Sequence, residues 1–391
     1  MSSTVSDASP QTRIQELDII RGFALFGVFV VNLSYSLARP SGPTDRAIAW
    51  IVNYLFQDRF WPLFTFLFGL SFTILLTRAE SRGHNTLVIY LRRMAVLFFF
   101  GALFQTFLGG GGILVRYAAI GLLLVPLRRV RSSVLIALSA GLFLLTAARV
   151  QDFVRARWTP EQRAVEKQRS AENRRIRTTG TFAEVTLNRG EELWHTVSHS
   201  TFLFGATSAI AAVFCLGLAF AHTSVLGNLA THQDFLRRAF FWCLLAGVTG
   251  VVLFNLVKLD PSWPYPWRTA WIFFDLVSAA LQGLSYAAGL AVVLRTPLWR
   301  QRLGFLAPAG RMTLTNYILQ ALLFKILFGR FFLQLKLGPA AGFVLTMGLF
   351  ALQVAFSKWR LREHRYGPLE QLWRYLTYGS ARFREPVAAA P

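Results

Sequence analysis

The stretch Leu17–Asn32 reads LDIIRGFALFGVFVVN, apolar almost throughout, with Asp18 and Arg21 at one end and Asn32 near the other. A run of this length crosses a hydrocarbon core as a helix, rising about 1.5 Å per residue through roughly 30 Å. Asp18 and Arg21 are three residues apart, so on that helix they share a face and can pair at a membrane boundary. Gly22 beside them lets a second helix come close. Two roles stay open for the pair: an orienting anchor whose N-terminal carboxylate suits the helix dipole, or direct contact with a ligand.

Similar runs recur along the 391 residues, of which 54% are hydrophobic and only 15% charged. A water-soluble chain would expose far too much apolar surface at that composition. The expected fold is an all-α polytopic membrane bundle of about ten transmembrane helices. The apolar windows lie near Ile19–Leu37, Phe60–Leu76, Val88–Leu108, Ile113–Leu127, Val134–Ala148, Thr201–Ala221, Leu236–Leu256, Thr269–Leu294, Thr313–Leu333 and Gly338–Ser357. No cleavable signal precedes the first of them.

The net charge of +22 raises the question of nucleic acid. The basic residues, however, collect in every second loop: Arg78, Arg82, Arg92 and Arg93, then Arg128, Arg129 and Arg131, Arg237 and Arg238, Arg295, Arg300 and Arg302, and last Lys358, Arg360, Arg362 and Arg365. The positive-inside rule explains this spacing, places both termini in the cytoplasm, and removes the reason to expect nucleic acid. The expected organisation is a disordered N-terminus (1–13), an N-terminal bundle (14–148), a long polar outer loop (149–200), a C-terminal bundle (201–357) and a basic tail (358–391). Cys215 and Cys243 fall inside apolar windows as small fillers, and no metal-ligand constellation is present. The GGGG turn at 109–112 lacks the Lys-Ser/Thr of a phosphate loop.

Five motifs, LDxxRGFALFGVFVVN, RFWPLFTFLFGLSF from Arg59, RTTGTFAEVTLNR from Arg177, GRMTLTNYILQ from Gly310 and YGPLEQLWRYLTYG from Tyr366, resemble those of the YeiB-like family (domain of unknown function 418). Transmembrane acyltransferases such as the heparan glucosaminide acetyltransferases are more distantly similar. The resemblance implies an acyl group moved from a cytoplasmic acyl-CoA co-substrate, with no tightly bound cofactor, to an outer or membrane acceptor: a small molecule, lipid or glycan. Two departures matter. Where the family commonly has a His late in the third span and an Asp opening the fourth, this chain has Gln105 and Gly112.

A base for acyl transfer is then sought in His195 or His199 of the outer loop, or in a carboxylate such as Asp275. Charges inside the windows normally pair or face a wet cavity. The expected arrangement is an outer cavity where Asp275 pairs with Arg116 or Lys325, with Asp58 and Arg59 at its mouth. A bridge that only fixes helix packing stays equally open. Thr313, Asn316 and Gln320 make a polar stripe that either bonds a neighbouring helix or, starting from Arg311, lines a path for an acyl-CoA arm. Asp18, Arg21 and Asn32 complete the candidate binding residues. A transporter of small molecules and a non-catalytic scaffold are the rival readings, and the oligomeric state is open.

Overall fold

Each apolar window falls on an α-helix in the computed structural model, which describes residues 15–80, 86–109, 112–155, 160–198, 206–223, 225, 232–257 and 262–378. The windows become α1 (Gln15–Ser34), α3 (Phe60–Glu80), α4 (Thr86–Leu108), α5 (Ile113–Leu124), α6 (Ser132–Arg155), α9 (Ala206–Ala221), α10 (Gln233–Leu256), α11 (Tyr265–Val293), α14 (Thr313–Phe328) and α15 (Pro339–Glu363). Between and after them lie α2 (Pro43–Ile51), α7 (Pro160–Thr179), α8 (Phe182–Ser198), α12 (Pro297–Leu303), α13 (Ala307–Arg311) and α16 (Pro368–Tyr378). The described residues form no strand.

Six of these helices, α1, α4, α6, α10, α11 and α15, are long and apolar enough to cross a membrane. Their surfaces agree with a lipid environment. Helix α10 exposes Phe241, Trp242, Leu245, Val252 and Leu256, an outward apolar face that water would not tolerate on a monomer. Helix α1 is its opposite. Its apolar residues Ile19, Ala24, Leu25, Phe29 and Leu33 are all but inaccessible, because α3, α13, α14 and α15 surround it.

The closest crossing around α1 is made by two glycines. A Cβ on Gly22 would run into the Leu306 carbonyl, and one on Gly310 into the Asp18 carbonyl. Backbone therefore meets backbone where α1 passes α13, the close approach that Gly22 foreshadows.

The polar segment after α6 is two helices. Helix α7 ends at Gly180, whose amide donates to the Ile176 carbonyl (2.9 Å). Helix α8 then starts with a capping box: the Glu184 amide donates to Thr181 Oγ1 (3.3 Å) and the Thr181 amide to Glu184 Oε2 (2.7 Å). Two orphan donors are satisfied reciprocally. Arg177 and Asn173 of α7 bind Glu192 of α8 (2.6 and 2.8 Å), locking the hairpin. Its tip docks through Arg330, which donates to the Arg177 and Gly180 carbonyls (3.2 and 2.6 Å). Its flank docks through Arg189, which donates to the Phe107 carbonyl at the end of α4 (3.1 Å).

Helix α6 runs to Arg155 and α15 to Glu363, each beyond the boundaries at 148 and 357 drawn from hydropathy alone. Residues 1–13, His199 and part of the GGGG turn lie outside the described residues.

Candidate functional site

A cavity of about 610 Å³ runs inside the bundle. Its wall follows α1 from Arg21 and continues to Tyr35, one residue past the helix end and fourteen residues further on, about 21 Å at the helical rise. At one end, called here the arginine end, it is lined by Arg21, Arg93, Arg311, Ser71, Glu370 and Trp373. At the other, the hairpin end, Asn32, Tyr35, Asp58 and Lys325 line it. Between them the wall is mostly aromatic and aliphatic, with Phe64, Phe68, Leu97, Phe104, Leu114 and Tyr317.

The arginine end is built from five helices, α1, α3, α4, α13 and α16. Arg21 donates to Asp18 Oδ1 (3.0 Å) and to Ser71 Oγ (2.6 Å). Asp18 itself is buried, so the expected helix-face pair exists and fixes the Arg21 head. Arg93 lies over the Trp373 ring, 3.9 Å from its centroid, and accepts the Trp373 indole N–H on its carbonyl (3.0 Å), an arrangement that adds cation–π attraction to a hydrogen bond. Arg311 donates to the Arg365 carbonyl (3.3 Å).

Glu370 accepts the Thr315 amide (3.0 Å) and hydroxyl (2.5 Å), so α16 caps the first turn of α14 and its negative charge meets the positive helix end. Burial pushes the Glu370 carboxyl above its usual range, against the pull of these hydrogen bonds. Three arginines against two carboxylates, Asp18 paired with Arg21 and the capping Glu370, leave this end with an excess of positive charge. Such a cluster recognises phosphate or carboxylate.

At the hairpin end, Asp58 holds a left-handed backbone (φ 62°), which Asp tolerates better than most residues. The buried Arg59 next to it donates to Gln282 Oε1 (3.1 Å) and to the Gln57 carbonyl. Gln282 donates in turn to the Tyr54 carbonyl (3.1 Å) and to Tyr286 Oη (2.9 Å), and Tyr286 to the Leu55 carbonyl (2.9 Å). Helix α11 thereby clamps the turn that presents Asp58.

This corrects one expectation. The charges acting on Asp275 are those of Asp58 and Arg59, not Arg116 or Lys325, because Asp275 lies on α11 behind the clamp. Lys325 instead has Arg189 and Arg177 as its charged neighbours, since the hairpin docks over its end of α14. Asp275, Arg59, Arg116 and Gln105 are not in the cavity wall.

His195 is on the exposed face of α8 at 2.8 Å from Arg169 and also outside the wall. The polar stripe divides. Asn316 donates to Ser357 Oγ (2.9 Å) and Gln320 to Gln353 Oε1 (3.0 Å), both interhelical bonds to α15; Thr313 turns back to the Gly310 carbonyl (2.6 Å). Gln320 alone of the three bonds a helix and also lines the cavity together with Thr313. Gln105 and Gly112 prove to be neighbours: a Cβ on Gly112, whose φ is 53°, would come within 2.5 Å of Gln105 Oε1. The two departures occur together in space.

Ser71, Arg93, Glu370 and Trp373 were not singled out as site residues by sequence reasoning. A signal was present, since Ser71 lies in RFWPLFTFLFGLSF and Glu370 and Trp373 in YGPLEQLWRYLTYG. Motifs from α1, α3, the α13–α14 turn and α16 converge on one cavity, and the hairpin motif abuts it.

Comparison with known proteins fits this convergence. Residues 220–380 match the family model "Protein of unknown function (DUF418)". The chain is 26% identical to "Uncharacterized protein YxaH" of Bacillus subtilis (strain 168), covering 96% of this chain and 97% of the relative. It is 28% identical to "Uncharacterized protein YeiB" of Escherichia coli (strain K12), covering 93% and 96%. These matches support a YeiB-like DUF418 family for the chain. A protein of Bacillus acidopullulyticus, "Uncharacterized 39.9 kDa protein in amylase 3'region", is 26% identical over 94% of each chain. The similarity thus covers both halves of the cavity wall and the hairpin, not the C-terminal portion alone.

Proposed function

We propose that the protein is a ten-span inner-membrane protein with both termini in the cytoplasm, and that its cavity holds an acyl-CoA for acyl transfer. One observation carries the reading: a mostly apolar cavity about 21 Å long has three arginines at one end and Asn32, Tyr35, Asp58 and Lys325 at the other. Phosphates of a donor suit Arg21, Arg93 and Arg311. The linker suits the aromatic middle. On the positive-inside reading the arginine end is cytoplasmic and the hairpin covers the outer face.

The acceptor then meets the thioester at the hairpin end. Asp58 is the carboxylate in the wall there, so it is placed to take the acceptor's proton as the oxygen attacks; the acyl–oxygen bond forms, the carbon–sulfur bond breaks, and the proton leaves with the thiol. Asp58 replaces His195 and Asp275 as the base in this reading, because neither lines the cavity.

The test is the melting temperature of purified protein titrated with free CoA, acetyl-CoA and longer acyl-CoAs. A saturable rise, weakened at least tenfold in Arg311→Gln and reduced by salt, is expected. No rise with any of them, in folded protein, overturns the reading. A transporter is then favoured by the same cavity, which has polar groups at both ends.

A further inference from the structure

Gln320 is 2% exposed and lines the cavity, seven residues into α14, about 10 Å from its arginine end. Its amide orientation is fixed by a chain of bonds. The Asn316 carbonyl is a backbone oxygen that only accepts, so the group of Gln353 that faces it (3.5 Å) is the NH₂. Gln353 therefore turns its oxygen to Gln320, and Gln320 answers with its own NH₂ (3.0 Å). This leaves Gln320 Oε1 buried without a hydrogen-bond partner.

An orphaned buried acceptor costs about 1–3 kcal/mol, and native proteins rarely keep one without a use. Tyr90, in the α4 wall of the same cavity, has a buried hydroxyl in the same condition. Neither fits a purely apolar ligand. A plain fatty chain would pass both without offering a donor.

We infer that Gln320 Oε1 is the mid-cavity acceptor for the ligand and receives an amide N–H from the linker between the donor's phosphates and its thioester. The inference rests on the acyl-CoA reading and deepens it, naming which part of the donor is read in the apolar middle. The linker of CoA carries two secondary amides, each with one N–H that an orphaned acceptor can receive. Gln320 is a positioning residue: it sets how far the donor enters, hence where its thioester sits relative to the hairpin end.

The experiment measures CoA binding to wild-type, Gln320→Met and Gln353→Met proteins through the ligand-induced rise in melting temperature, with dodecyl phosphate as an anionic probe that has no N–H. Gln320→Met is expected to weaken CoA about 3- to 10-fold, the value of one hydrogen bond, and to leave dodecyl phosphate unchanged. Gln353→Met, which is outside the wall, is expected to bind CoA more tightly than Gln320→Met does.

A second measurement leaves the protein untouched. CoA analogues with one or the other amide replaced by an ester are titrated on wild-type protein, and one of the two is expected to lose the same factor. Equal CoA binding by wild-type and Gln320→Met, equal weakening in both variants, or both ester analogues binding like CoA overturns the inference while the acyl-CoA reading stands. Absence of any CoA effect on wild-type protein overturns both.

Discussion

Asp18 and Arg21 act first on the fold. Asp18 is buried, and Arg21 Nη1 stands 3.0 Å from its carboxylate. Removing the arginine takes a cationic partner from a buried carboxylate, which costs up to roughly 3 kcal/mol. Arg21→Met is therefore expected to lower stability by about that amount, measured by unfolding in detergent, whereas Arg311→Gln leaves stability within about 1 kcal/mol. That contrast makes Arg311 the cleaner probe of ligand binding. Gly310→Ala should also destabilise, by about 1–3 kcal/mol, since its Cβ meets the Asp18 carbonyl across the α1–α13 crossing. The pair was legible in the sequence because its members are three residues apart, and Gly22 because a glycine within an apolar helix marks a close helix crossing. The partner glycine was not, because Gly22 and Gly310 are joined only by the fold.

Among elements, α2 and α15 show the same limit. Helix α15 starts at Pro339, and its first free amides need acceptors. Asp45 of α2 supplies one: its Oδ1 accepts the Ala340 amide (3.0 Å), 295 residues away, while Oδ2 accepts the Ser41 amide and hydroxyl (3.1 and 2.8 Å). These bonds, with Ala340 first, hold the Asp45 carboxyl below its usual range. The carboxyl therefore contributes stability while pH is above its ordinary value of about 3.9, and loses it as pH falls below that through the lowered value. Asp45→Ala should melt below wild-type at neutral pH, and the gap should close below about pH 4. A gap that does not narrow as pH falls below about 4 would show that the cap acts through something other than the ionised carboxylate. Nothing near Asp45 in sequence marks it, whereas the α7–α8 turn carries a local signal, since Thr181 with Glu184 spells the capping box.

At the scale of the molecule, hydropathy located each apolar helix among the described residues because each has to bury or present apolar surface over its full length, a signal summed over many residues. The cavity is a different kind of fact. Its wall joins α1, α3, α4, α5, α13, α14 and α16, and the pairing of Asp275 was misjudged because position within a span says nothing of which face meets which helix. Orientation is testable directly. In intact cells a membrane-impermeant maleimide should label Glu191→Cys on the hairpin and reach Tyr375→Cys on α16 only after permeabilisation; the reverse would invert the topology. The most direct test of the central claim, that a CoA-bearing donor occupies the cavity, is protection of a cysteine placed in its wall. In a Cys215→Ala, Cys243→Ala background, Ala321→Cys lines the cavity and Leu322→Cys, 40% exposed, does not. The account predicts that CoA slows maleimide labelling of Ala321→Cys saturably and leaves Leu322→Cys unchanged; an unchanged rate at Ala321→Cys under saturating CoA would contradict it.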